Sequence, residues 1–182
     1  MDKNVFPIEH KYTVTVSDLR KTAYFGLVRE SNKAFLAMFV ILAFALVYGI
    51  AVYSGLTQAN MLIFFIAGAY LIWGLIKFAG AEKRVRLNLK AEGNTIGMET
   101  KLTVSKDDMR FEIGGHKIDN RYVIKNLAAV FELAALYMVY LDGEHMFIVP
   151  KRGLDDGQKD ALRGLLRARL GNRFWTRFEK KQ

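Results

Sequence analysis

The chain has 182 residues, a formal net charge of +9 at pH 7, a 52% hydrophobic composition and no cysteine. The lack of cysteine excludes disulfides, thiolate nucleophiles and cysteine-held metal sites. The ordinary hydrophobic share conceals a division, because no side chain from Ala34 to Ile76 is charged.

The first element lies in residues 6–16, where Phe6, Ile8, Tyr12, Val14 and Val16 alternate with Glu9, Lys11, Thr13 and Thr15. Period two over this length predicts a half-buried strand. Ser17 and Asp18 then offer N-cap chemistry to a helix carrying Leu19, Ala23, Tyr24, Leu27 and Val28. Residues 1–33 read as a cytoplasmic N-terminal segment made of this strand and a juxtamembrane helix.

Residues 34–79 read as a transmembrane hairpin with spans at 34–53 and 61–78, because a hydrocarbon core about 30 Å thick takes roughly 20 apolar residues as a helix. A protein this small cannot wrap two such helices on every side. Lys33 precedes the first span, and Lys77, Lys83, Arg84, Arg86 and Lys90 end or follow the second, with no basic residue between them. The positive-inside rule then puts both termini in the cytoplasm. Ala45, Gly49, Gly68 and Gly74 are the small residues expected to let the helices pack closely. Tyr48 and Tyr70 are mid-span hydroxyls expected to bond the other helix. From Ala34 to Ile76 the hairpin holds no Asp, Glu, Lys, Arg or His, and Lys77 stands only at the end of the second span, so the hairpin reads as an anchor rather than a carrier.

Residues 80–182 read as a cytoplasmic strand-rich domain. Val85, Leu87 and Leu89 alternate first, then Met98 to Val104, then Met109 to Ile113. Gly114-Gly115 suits a hairpin, His116 to Asp119 follows, and Tyr122 to Asn126 fits a strand or a helical turn. The apolar runs Leu127 to Leu133 and Leu136 to Leu141 precede Asp142-Gly143, a hairpin signal, and a strand at His145 to Val149. After Pro150, Leu154 with Asp155 and Gln158 resembles a hydrophobic staple and capping box. Leu162, Leu165, Leu166 and Leu170 mark one face of a helix stopped at Gly171. Six or seven antiparallel strands closed by a terminal amphipathic helix make an α+β architecture like a small pleckstrin-homology barrel. By itself the segment from about Lys83 onward is expected to fold.

The order of parts, together with Phe147-Ile-Val-Pro-Lys-Arg-Gly-Leu154 and the leucine-containing helix after it, resembles the YcxB-like family of bacterial membrane proteins. The resemblance implies a place in the bacterial cytoplasmic membrane and carries over no catalytic residue.

The chemistry-bearing residues are scattered. His10, His116 and His145 lie far apart with no i,i+4 pair, which argues against a metal site. Asp107-Asp108 falls in a turn, and Asp155-Asp156 opens a helix, where carboxylates meet free N–H groups. No phosphate-cradling glycine loop, nucleophile elbow or His-Glu-x-x-His appears. No enzyme activity, cofactor or metal is therefore expected. From Arg163 to Gln182 seven basic residues stand against Glu179 alone, among Phe174, Trp175 and Phe178. Basic residues interleaved with aromatics suit anionic lipid and fit nucleic acid less well in a tethered chain; the alternative is a solvated helix face. Lys83, Arg84, Arg86, Arg167, Arg169, Arg173, Trp175 and Arg177 are the candidate contacts to anionic inner-leaflet lipid or to a protein partner. The expected function is a non-enzymatic, membrane-anchored binding or regulatory module; the alternative is an accessory subunit docking through its hairpin, as a homo-oligomer or in a larger complex.

Overall fold

A computed structural model of the chain describes residues 6–91, 94–114, 116–143 and 145–176, with residues 116–120 described in backbone only. It is a mixed α+β structure. Strand β1 (Ile8–Thr13) and helix α1 (Val16–Glu30) precede two long helices, α2 (Asn32–Tyr53) and α3 (Met61–Lys90). Strands β2 (Glu99–Val104), β3 (Asp108–Ile113), β4 (His116–Val123), β5 (Ala129–Glu132), β6 (Leu136–Tyr140) and β7 (Met146–Pro150) follow, then α4 (Asp156–Leu170) and β8 (Phe174–Thr176). Two compact units result: the chain up to Leu19 together with the chain after α3, and Arg20–Ala91.

The first unit holds two sheets, ordered β1-β2-β3-β4 and β7-β6-β5-β8. Its opening strand comes from before the long helices. β1 pairs antiparallel with β2 along its whole length, from Ile8 opposite Val104 to Thr13 opposite Glu99. The expected boundaries at residues 33 and 80 therefore give way to a sheet closed by residues from both ends of the chain. The physical reason is the apolar face of β1: Ile8 and Tyr12 are buried among Leu102, Val104 and Phe111 of the neighbouring strands. Val130, Tyr137, Val139 and Val149 of the second sheet and Leu162, Leu166 and Leu170 of α4 complete the same core. Its fully buried side chains each contribute about 1.5–3 kcal/mol relative to exposure.

The local signals behave as the sequence predicts at the start of α4. Asp155 accepts from the Gln158 N–H at 2.7 Å, and Gln158 Oε1 accepts from the Asp155 N–H at 3.2 Å. Gly171 stops the helix at a φ of 54°, a left-handed conformation that costs glycine nothing. At α1 the cap differs. Thr15, not Ser17, is the capping residue: its N–H and hydroxyl donate to Asp18 at 3.0 and 2.8 Å, a box closed one turn inside the helix.

Three readings change. Val85, Leu87 and Leu89 are helical, not a strand, because α3 continues to Lys90. No Gly-Pro or Asn-Gly breaker interrupts the chain after Phe78, and extending an existing helix needs no new nucleus. The segment around Tyr122 splits, with β4 running through Val123 and a 3₁₀ turn at Ile124–Asn126. Beyond Gly171 the chain adds β8, which pairs parallel with β5 through Val130 opposite Phe174. The sheets are thus not wholly antiparallel, and α4 is not the last element.

The second unit is the helical hairpin. Ala45 of α2 and Ala67, Gly74 and Ala81 of α3 are buried. Leu27 from the end of α1 packs with Phe35, Met38 and Ala81. Both long helices are apolar enough to cross a membrane, yet only 17% of the apolar window of α2 and 11% of that of α3 is buried. Most of their apolar surface is uncovered by the rest of the chain, unlike that of a helix buried in a globular core.

Candidate functional site

The polar centre of the first unit is built where β7 ends. Pro150 is the last residue of β7, and each residue from there to Gly153 makes a different attachment. The Pro150 carbonyl lies 2.8 Å from His10 Nε2, a buried imidazole on the core face of β1. Lys151 Nζ donates to Glu132 Oε1 at 2.7 Å. Arg152 donates to Asp18 Oδ1 at 3.1 Å and also to the Thr13 carbonyl. Gly153 has a φ of 88°, and a side chain there would come within 3.3 Å of the His10 ring. Pro-Lys-Arg-Gly therefore joins the strand that precedes the hairpin to the sheet that follows it.

The period-two pattern of β1 already held His10 on the face of Ile8 and Tyr12, the signal that its ring is buried. Its environment opposes protonation. Burial is the largest influence, and although the Pro150 carbonyl favours the charged form, Arg152 adds to the depression, so His10 titrates below its ordinary range. The unfolded chain then binds a proton that the folded chain resists, so stability is full above about pH 6.5 and falls below it. We expect unfolding free energy to drop by up to about 1 kcal/mol between pH 7 and pH 5.5. Denaturant titrations at the two values check this, and His10→Gln, which cannot titrate there, should flatten that part of the profile.

Glu132 anchors a second cluster. Its side chain is inaccessible to solvent, and Arg163 Nε and Nη2 donate to it at 2.9 and 2.7 Å beside Lys151. Burial works against its charge, but the hydrogen bonds from Arg163, Lys151 and Thr176 outweigh it and hold the carboxyl at about 2. Lys151 also lies over the Tyr137 ring at 4.7 Å. One carboxylate thus fastens β5 to β7, α4 and β8. A charged residue inside the apolar run Leu127 to Leu133 was the sequence signal for it.

Between the 3₁₀ turn and the β6–β7 connection lies an open cleft of about 520 Å³, lined by residues including Arg121, Tyr122, Asn126, Leu127, Asp142 and His145. This volume falls in the range of small-ligand sites. Its charges are already paired: Arg121 with Asp108, and His145 Nδ1 with Asp142 at 2.8 Å. The lining combines apolar Val123, Leu127 and Leu141 with these paired polar groups. Among the described residues, no three or more His, Asp or Glu side chains are grouped to hold a metal ion.

The segment from β3 to α4 contains most of both clusters and the whole cleft lining. Residues 110–166 match the YcxB-like protein family. No curated protein and no solved structure matches the chain. The YcxB-like segment includes Pro150–Gly153, Glu132 and Arg163, while His10, Thr13 and Asp18, to which the segment is fastened, lie outside it.

The candidate lipid contacts divide in two. Within and beyond the YcxB-like segment, cations of α4 and of the 3₁₀ turn Gly171–Arg173 have protein partners. Arg169 pairs with Asp107 at 2.6 Å, and Arg173 donates to the Leu127 and Lys125 carbonyls at 2.8 Å each. Trp175 is 60% exposed and stacks on Phe131, and Arg167 is exposed. Arg177 lies outside the described residues. Lys83, Arg84 and Arg86 stand together, exposed, on α3. In the hairpin, Ala45 is buried, Gly49 meets the Phe64 ring, and Gly74 lies against Met38. Gly68 has nothing within 4 Å of a would-be side chain, so it does not serve the α2–α3 contact. Tyr48 bonds the turn rather than the other helix: its hydroxyl donates to the Gln58 carbonyl at 2.6 Å and accepts from the Asn60 N–H at 2.8 Å.

Proposed function

We propose that this chain is a non-enzymatic, membrane-anchored binding module. Helices α2 and α3 cross the bacterial cytoplasmic membrane, both termini stay in the cytoplasm, and the sheet unit works at the inner leaflet. The observation that carries the reading is a pair of long helices whose apolar stretches, uncharged from Ala34 to Ile76, are mostly uncovered by protein. The basic residues flanking them, with none in the connecting turn, support the orientation. Two four-stranded sheets around one core with a C-terminal helix support a pleckstrin-homology-like arrangement, to which the parallel β8 is an addition. The cleft of the YcxB-like segment is the candidate ligand site on that unit.

Because the chain has no cysteine, single cysteines report topology cleanly. A membrane-impermeant maleimide should label Thr57→Cys in intact cells and Lys106→Cys only after permeabilisation. The reverse pattern would overturn the orientation, and equal labelling of both would overturn the spanning hairpin.

The accessory-subunit alternative draws on Gly68, whose open face leaves room for another helix to approach. Co-purification of a second membrane protein at a fixed ratio, lost in Gly68→Leu, would favour it.

A further inference from the structure

We propose that the outward stripe of α3 formed by Ile72, Ile76, Gly80 and Lys83, with Arg84 beside it, is a binding site for an anionic glycerophospholipid of the leaflet at the C-terminal end of that helix. The inference rests on the membrane-anchor reading above and names the ligand class it presents.

The stripe follows from helical geometry. At about 100° per residue, buried Ala67, Gly74, Ala81 and Val85 fall within an arc of about 40°. Ile72, Ile76, Gly80, Lys83, Leu87 and Lys90 fall on the opposite side, with Arg84 and Arg86 flanking them. Ile72, Ile76 and Leu87 are 59%, 66% and 57% exposed, and the four basic residues are exposed as well. Going along the helix, the surface changes from branched apolar side chains to a gap to cations. The gap is Gly80, where an added side chain would find nothing within 4 Å.

That order matches a phospholipid read from its acyl chains to its phosphate. Met61 to Phe78 rises about 26 Å, close to the hydrocarbon thickness, and Lys83 and Arg84 stand about 7–9 Å further on, level with the headgroups. Ile72 and Ile76 then lie beside acyl chains, Gly80 admits the glycerol region, and Lys83 with Arg84 meets the phosphate. The one acid in α3, Glu82, does not neutralise the stripe. Its carboxylate is held by Arg20 at 2.7 Å and by the Tyr24 hydroxyl at 3.3 Å. The cations Arg163, Arg169 and Arg173, by contrast, are engaged with protein groups.

The test uses the full chain, purified in mild detergent and given equal amounts of phosphatidylglycerol and phosphatidylcholine, with retained lipid counted by native mass spectrometry. Phosphatidylglycerol should be retained in preference. Because a basic residue near the lipid surface contributes about 1 kcal/mol, each neutralised cation should lower the ratio about fivefold, and Lys83→Gln with Arg84→Gln should bring it close to one. Gly80→Leu should reduce retained phosphatidylglycerol with every charge in place, while Arg167→Gln on α4 should leave the ratio unchanged. An equal ratio for the unaltered chain, or a ratio that falls with Arg167→Gln and not with the α3 pair, would overturn the site. Release of the protein from membranes by sodium carbonate would instead overturn the anchor, so the two failures are separable.

Discussion

A chain beginning at Lys83 should fail to reach a cooperative fold, whereas residues 6–19 joined by a short flexible linker to residues 94–182 should reach it. The difference is β1. Ile8 and Tyr12 are 2% and 6% exposed within the core shared by both sheets and α4. Removing buried chains of this size costs about 2–5 kcal/mol apiece, and small domains hold only about 5–15 kcal/mol in all. Losing β1 also leaves β2 as an unpaired edge and removes Asp18, to which Arg152 is bound. The linker is short because the ends already meet: Thr13 lies opposite Glu99, and the Val14 carbonyl accepts from the Gly97 N–H at 3.0 Å. Urea melts followed by near-UV circular dichroism separate the two chains. A cooperative melt from the chain starting at Lys83 would show that β1 is dispensable.

In the same linked unit, Glu132→Gln should cost about 3–5 kcal/mol, because it leaves Lys151 and part of Arg163 as buried cations without a counter-charge. Truncating the other side of the pair tells desolvation from packing. Adding Lys151→Met to Glu132→Gln removes the orphaned cation and should recover part of the loss, which a double-mutant cycle in urea measures. The pH profile carries the same signature with the opposite chemistry from His10. Glu132 is held at about 2 in the fold against 4.5 ordinarily, so its stabilisation is complete above about pH 4.5 and is lost as pH falls toward 2. Glu132→Gln should abolish that acid limb while leaving the His10 limb, which lies at higher pH.

Much of this was legible before folding. The two long apolar helices follow from an uncharged run of membrane-spanning length, and the α4 start follows from a local contact between Asp155 and Gln158, three residues apart. The strands β2 and β3 announce themselves by alternation because each has one face in the core, whereas β6, buried at four successive residues, shows as an apolar run and β7 by the hairpin signal before it. The end of α3 was misread for a related reason. Val85, Leu87 and Leu89 alternate over too few residues to separate a period of two from a helix already under way. β8 was hidden because its three residues pair with a strand more than forty positions earlier, and a composition rich in Arg and aromatics says nothing about that partner.

The candidate lipid residues show the same limit. Lys83, Arg84, Arg173 and Arg169 look alike as basic residues near apolar ones. Only the fold gives Arg169 to Asp107 and Arg173 to backbone carbonyls while leaving Lys83 and Arg84 on an exposed helix face.

The sequence by itself marked out the two long apolar helices and the strand-rich remainder, because hydropathy and charge act residue by residue and need no partner. The tertiary structure decided which residues form one body. β1 and the Pro150–Gly153 turn are some 140 positions apart, yet His10 meets the Pro150 carbonyl. Such a contact is set by the closing of a sheet around a common core, and no local pattern encodes it.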